Sequence, residues 1–362
     1  MLCLAALLLG SLAVEDVFVC GTLDAGQVFQ VFRIPALCRT SKGTLLAFAE
    51  GRRSIQDQSA NVLVLRRKLA HSQQWAALRV IADKSPASLN NPCVLEDGGT
   101  VFLMYQRYPA GKTEWNSPPG VGVNACQTFL LRSSDEGATW SKPVDLTPIV
   151  KGYLTQSTAS GPGSGIKLER GAFKGRLIFP CNEGAQRHWS TFAVYSDDHG
   201  RTWNRGVAAP RTDKFEPNEV QMVETSDGQV LQNARNQASG HFRLQSVSHD
   251  GGGTWERIEP RQDLPDPVCQ GSILRLGWSP NRIVLCNPAS IRSRENGSLR
   301  TSSDDGKTWS AGLPVAEGSF EYSSLCKMPA GKVGILYETK EVRNGLEGYR
   351  IRFTVVIPDA RL

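Results

Sequence analysis

Three arginines stand at the ends of strand-like runs in turn-like company: Arg33 in Phe32-Arg33-Ile34-Pro35, Arg235 in Asn233-Ala234-Arg235-Asn236, and Arg294 in Ser293-Arg294-Glu295-Asn296. A guanidinium presents a planar fork of donors that matches a carboxylate, and it stays charged when partly buried. Three of them converging would therefore grip a carboxylate-bearing small molecule. Taken singly, each reads as half of a surface salt bridge, and the sequence alone favours that reading for any one of them. A loop expected over 50–61 adds Glu50, Arg52, Arg53 and Asp57; by itself Asp57 is an ordinary exposed aspartate. The five histidines show no HExxH or clustered spacing, and the nine cysteines show no CxxC pair. Neither metal nor other cofactor is expected, and buried thiols are the expected state of the cysteines.

The scaffold that would carry such residues is announced by a repeat. Ser-x-Asp-x-Gly-x-x-Trp occurs at 133–140, 196–203, 248–255 and 302–309. Each copy has the chemistry of a tight hairpin: Ser and Asp side chains bond turn amides, Gly supplies a positive φ, and Trp returns to pack on neighbouring strands. The Asp residues thus read as turn formers, and His199 and His249 inside two copies read the same way. Strand-like runs at 27–32, 44–49, 62–65, 101–105 and 128–131 continue at similar spacing to the end of the chain. A long Gly/Pro-rich excursion, 109–123, interrupts them, as functional loops on β scaffolds often do. One small antiparallel sheet per repeat predicts a radial array, all-β, with six four-stranded blades and a last strand that completes a sheet begun near the start of the chain.

Composition bounds the remainder. With 362 residues, 35 Gly, 20 Pro and 40% hydrophobic content, the chain suits one large β domain better than a helical protein. Its net charge of +6 is scattered, which argues against nucleic-acid binding and suits a small anionic substrate. Residues 1–13 form an apolar run ending in small residues, expected as a signal peptide before a single domain over 14–362. The run is too short for a stable membrane span. If it is a signal peptide the compartment is secretory, lysosomal or extracellular, and otherwise cytoplasmic. One sequon, Asn296-Gly297-Ser298, accompanies it. The sequence is silent on oligomeric state.

Phe32-Arg33-Ile34-Pro35 followed by these Asp boxes resembles the sialidases, and the likeness extends over nearly the whole chain. The segments 46–50, 62–67, Asn91-Pro92-Cys93 and Cys269-Gln270-Gly271-Ser272 resemble animal sialidases in particular, and 161–165, 233–236 and 287–289 their lysosomal type. The resemblance implies a retaining exo-α-sialidase acting on sialylated glycoproteins, glycolipids and oligosaccharides. It assigns Arg33, Arg235 and Arg294 to the sugar's carboxylate, with Arg292 and Arg300 as neighbours to Arg294. Glu338 would buttress Arg33, Arg52 and Glu50 would lie by the sugar's O4, and Asn91 would border the pocket. Asp57 matches the acid/base, Tyr322 the nucleophile and Glu219 its base, in preference to Glu216 or Glu224. Without the resemblance, Tyr322 reads as a strand tyrosine with a buried ring and Glu219 as a surface glutamate. A tyrosine avoids the repulsion that a carboxylate nucleophile would meet at an anomeric carbon bearing a carboxylate, and the arginines are expected to stabilise its anion. Two alternatives remain: a transglycosylating or intramolecular trans-sialidase, and a non-catalytic Asp-box propeller that binds glycans.

Overall fold

The computed structural model describes residues 13–24, 26–184, 188–238, 240–343 and 346–358. The expected signal peptide, apart from Ala13, lies outside the described residues. Six antiparallel sheets follow one another around a ring, spanning 31–82, 88–145, 157–205, 217–265, 272–319 and 323–356, and are called blades 1 to 6. Four blades have the expected four strands. Blades 2 and 3 each gain a fifth short one: Gly163–Ser164, which pairs parallel with Ser88–Asp97, and Ile166–Lys167, which pairs antiparallel. Blade 6 is completed by Val14–Val19, which pairs antiparallel with Leu346–Val356 and so joins the two ends of the chain in one sheet. Among the described residues no helix is long and apolar enough to cross a membrane.

Burial on both faces explains why the strands read as unbroken apolar runs. In Leu45–Arg52, Leu46 and Phe48 pack against Val94 and Leu103 of blade 2. Leu45, Ala47 and Ala49 point the other way, to Phe353 and Leu336 of blade 6. Each of the six joints between blades has a core of this kind.

The Asp boxes are the turns between third and fourth strands in blades 2 to 5. In the first, Ser133 Oγ accepts from Gly137 N at 2.9 Å and Asp135 Oδ1 from Thr139 N at 2.8 Å. Gly137 takes φ 76 and the preceding Glu136 also takes φ 57, a feature the motif did not announce. Trp203 of the second box packs on Phe102 and Phe179 of blades 2 and 3. Each box is also tied to the blade before it by an arginine that donates to its turn carbonyls. Arg79 reaches Ala138 at 2.6 Å, Arg132 reaches Gly200, Arg176 reaches Gly251 at 3.1 Å, and Arg261 reaches Gly306. The expected strand at 27–32 is in fact two pieces: Gln27–Val28 forms a small hairpin with Leu23–Asp24, and Val31–Arg39 opens blade 1.

Candidate active site

The first strands of the blades line the ring's axis side by side, and their N-terminal ends meet at one mouth, opposite to the Asp boxes. Three of these strands are irregular where they reach that mouth. The register shifts between Arg33 and Ala36, between Asn90 and Cys93, and between Pro217 and Val220. Ile34 and Asn91 take φ 60 and φ 52 within two of these bulges. A bulge breaks the in-out alternation and re-aims a side chain, which is how Arg33 and Glu219 come to face the axis from within strands. Arg33 therefore sits inside Val31–Arg39 and not at a strand end. Glu50 and Arg52 likewise belong to Leu45–Arg52, and the expected loop begins only at Arg53.

These side chains surround a cavity of about 170 Å³ that all three arginines, Asp57, Glu219 and Tyr322 line. Tyr322 lies just before Ser323–Met328 with its ring buried, and its hydroxyl donates to Glu219 Oε1 in a short bond. Arg235 Nη1 donates to the other oxygen of Glu219 at 2.8 Å and to Tyr322 Oη at 3.2 Å. Arg33 and Arg294 lie 5.1 and 5.6 Å from the same ring's centroid. Burial, reinforced by Glu219, pushes the phenol well above its ordinary range, against the pull of Arg235 and Arg294. The expected stabilisation of tyrosinate is therefore outweighed by burial, and the phenol is neutral.

Arg33 is held by Glu338, which is fully buried and accepts from Nη2 at 2.8 Å and Nε at 3.3 Å. Glu338 also accepts from the backbone N–H groups of Ile34 and Tyr322. Glu321 accepts from Arg33 Nη2 at 3.1 Å and from Arg294 Nη1 at 2.9 Å. Tyr349, which no sequence motif singled out, stacks 4.3 Å from the Arg33 guanidinium. Arg292 is exposed and Arg300 donates to Asn287, so Arg294 is the neighbour that faces the cavity. Glu224 lies at the far end of the Glu219 strand, bonded to the backbone of Glu169 and Arg170.

On the opposite wall, fully buried Glu50 accepts from Arg52 Nε at 2.8 Å and from the Asn91 backbone at 2.7 Å. Burial raises Glu50 to about 7, against the pull of Arg52. Arg52 donates onward to Asp57 Oδ1 at 2.8 Å; the Asp57 side chain, on its loop, is 60% exposed. Partial burial works to raise the Asp57 carboxyl, but Arg52, then Arg33 and Arg294, hold it below its ordinary value. Asp57 is thus kept ionised. Sequence reasoning missed Glu114 and Trp115, both at the cavity wall. They lie in the Gly/Pro-rich excursion, which was recognised as a loop without its residues being singled out. Burial, then the nearby charges of Asp57 and Glu219, raises Glu114 to about 7.

The chain is similar to known proteins over most of its length. The family model described as a BNR repeat-like domain matches residues 43–335. A sialidase of Micromonospora viridifaciens is 35% identical over 87% of this chain, which spans 51% of that protein's length. Sialidase-2 of Cricetulus griseus is 30% identical over 88% of this chain and 93% of its own. A solved structure of a Hadza microbial sialidase superposes with TM-score 0.79 at 26% identity, over 92% of this chain and 67% of that one.

Proposed function

The chain belongs to the sialidase family, and from that premise we propose that it is a retaining exo-α-sialidase releasing terminal sialic acids from glycoproteins, glycolipids and oligosaccharides. The observation that carries this reading is the Tyr322 hydroxyl donating to Glu219 at a cavity where Arg33, Arg235 and Arg294 converge. The arginines take the substrate's carboxylate. Glu219 removes the phenolic proton as Tyr322 Oη bonds the anomeric carbon, and the bond to the leaving oxygen breaks as Asp57 protonates it. Water then attacks the same carbon, giving a proton to Asp57 while Tyr322 leaves and regains its own from Glu219. Two inversions leave the anomeric configuration unchanged.

Asp57 must be protonated for the first step, yet the arginines hold it ionised. A bound carboxylate neutralises Arg33 and Arg294, and a bound leaving group excludes water; both raise the Asp57 carboxyl toward the pH at which it donates. Arg52 and Glu50 lie on the O4 side of the sugar in this reading. Proton NMR of a sialyllactose digest tests it. Initial release of α-sialic acid supports a retaining hydrolase. An anhydro product or transfer to an acceptor assigns a transglycosylase instead, and tight sialoside binding without release assigns a lectin-like propeller.

A further inference from the structure

The segment 265–271, which links blades 4 and 5, contains a strained residue that the chemistry above leaves unused. Val268 takes φ 60, a conformation that a β-branched residue avoids because its side chain crowds the neighbouring backbone. Such geometry persists only where the surroundings over-determine it, and it gathers at functional sites.

The surroundings of Val268 do this. Arg243, fully buried in blade 4, donates through Nη1 to Asp266 Oδ2 at 2.5 Å and to the Cys269 carbonyl at 2.6 Å, and through Nε to Asn233 Oδ1 at 2.8 Å. Asp266, also buried, accepts the Cys269 N–H on its other oxygen at 2.7 Å. One guanidinium thus pins the chain on both sides of Val268. The carbonyl held between them accepts Arg294 Nη2 at 3.1 Å. Arg294 needs such a partner more than its companions do. It leaves the sheet at a bend, and its side chain is 29% exposed against 10% for Arg33 and 13% for Arg235.

We propose that the Arg243–Asp266 pair is a positioning device for Arg294: it forces Val268 into the left-handed conformation that aims its carbonyl at the far side of the Arg294 fork. Glu321 takes Nη1, Val268 takes Nη2, and the fork is set toward the cavity before any ligand arrives. A backbone carbonyl pinned in this way cannot swing as a carboxylate side chain can. The inference rests on reading Arg294 as a ligand of the substrate carboxylate.

Asp266→Asn tests it, because it keeps the side chain's size and an acceptor for the Cys269 N–H while removing the charge that holds Arg243. Affinity for the 2,3-dehydro glycal of sialic acid is measured by calorimetry in four proteins: wild type, Asp266→Asn, Arg294→Ala and the double variant. Asp266→Asn is expected to weaken binding about fivefold in the wild-type background and to add no further loss once Arg294 is gone. On sialyllactose the loss falls on KM and leaves kcat nearly unchanged. Val268→Gly adopts φ 60 without strain and leaves both pins in place, so its affinity stays that of wild type; a loss like that of Asp266→Asn overturns the proposal. Equal losses in both backgrounds, or none in the wild-type background, overturn the proposal. A wild-type protein that neither binds the glycal nor releases sialic acid overturns the sialidase reading itself, a separate and visible outcome.

Discussion

Glu338→Gln probes the anchoring of Arg33 most directly. The substitution keeps the size of a fully buried side chain but replaces one acceptor oxygen with a donor that faces a guanidinium. Breaking a buried ion pair from one side costs about 3–5 kcal/mol, since the partner charge stays behind without compensation. Here Arg33 keeps Glu321 at 3.1 Å and the Tyr349 ring at 4.3 Å, which favours the lower end, about 3 kcal/mol. For a domain of this size that is a fall in Tm of about 4 °C. The freed guanidinium also no longer presents a fixed fork, so KM for sialyllactose should rise about tenfold, or about 1.4 kcal/mol of lost carboxylate binding. Differential scanning calorimetry and initial-rate kinetics on one preparation read both effects. A Tm within about 1 °C of wild type together with an unchanged KM would refute the reasoning, for it would mean that Glu321 and Tyr349 suffice to hold Arg33.

Tyr322→Phe should lower kcat by about a thousandfold or more while the glycal still binds, because the three arginines are untouched; turnover near that of wild type removes Tyr322 as nucleophile. Glu114→Gln bears on pH. A carboxyl raised to about 7 in the folded state stabilises fully below its unfolded value near 4.5, and this contribution is lost as pH rises to 7 and beyond. Removing it should therefore raise Tm more at pH 7.5 than at pH 5, and an equal change at both pH values contradicts the assignment. Gly200→Ala, far from the cavity, puts a methyl within 2.5 Å of the Phe102 ring at φ 78. Strain and overpacking should cost about 2–4 kcal/mol in urea unfolding, with kcat/KM at 25 °C unaltered; a loss of turnover without a loss of stability counts against it.

The Asp boxes were legible because their chemistry is local: Ser, Asp and Gly act on amides within four residues, and a repeat of that length implies small sheets in series. The limits of the strands were less so. The apolar pattern of the run 44–49 stops at Glu50, yet the strand goes on through Arg52 because the two charges are paired and fully buried. The bulges at Arg33 and Glu219 left no mark in the sequence, since they are fixed by pairing with the next strand. Arg33 was singled out by residue type and place, Glu219 and Tyr322 by resemblance, and their convergence is a property of the ring. Glu114 had no local signal: what sets it apart is nearness to Asp57 and Glu219, from two other blades.

Four joints of the ring are fastened at an Asp box by an arginine from the blade before. The two joints that flank blade 6 have no such box, and across them run Arg33 to Glu338 and Arg294 to Glu321. The seam of the propeller is thus held partly by the arginines proposed to take the substrate's carboxylate, with their glutamate partners. Mutations that silence turnover at these positions should also loosen the closure of the ring, so natural selection cannot discard the one property and keep the other. A descendant of this chain that abandoned catalysis for binding would be expected to lose Asp57 and Glu219 early and to retain both arginine–glutamate pairs long afterwards, as relics of architecture and not of chemistry.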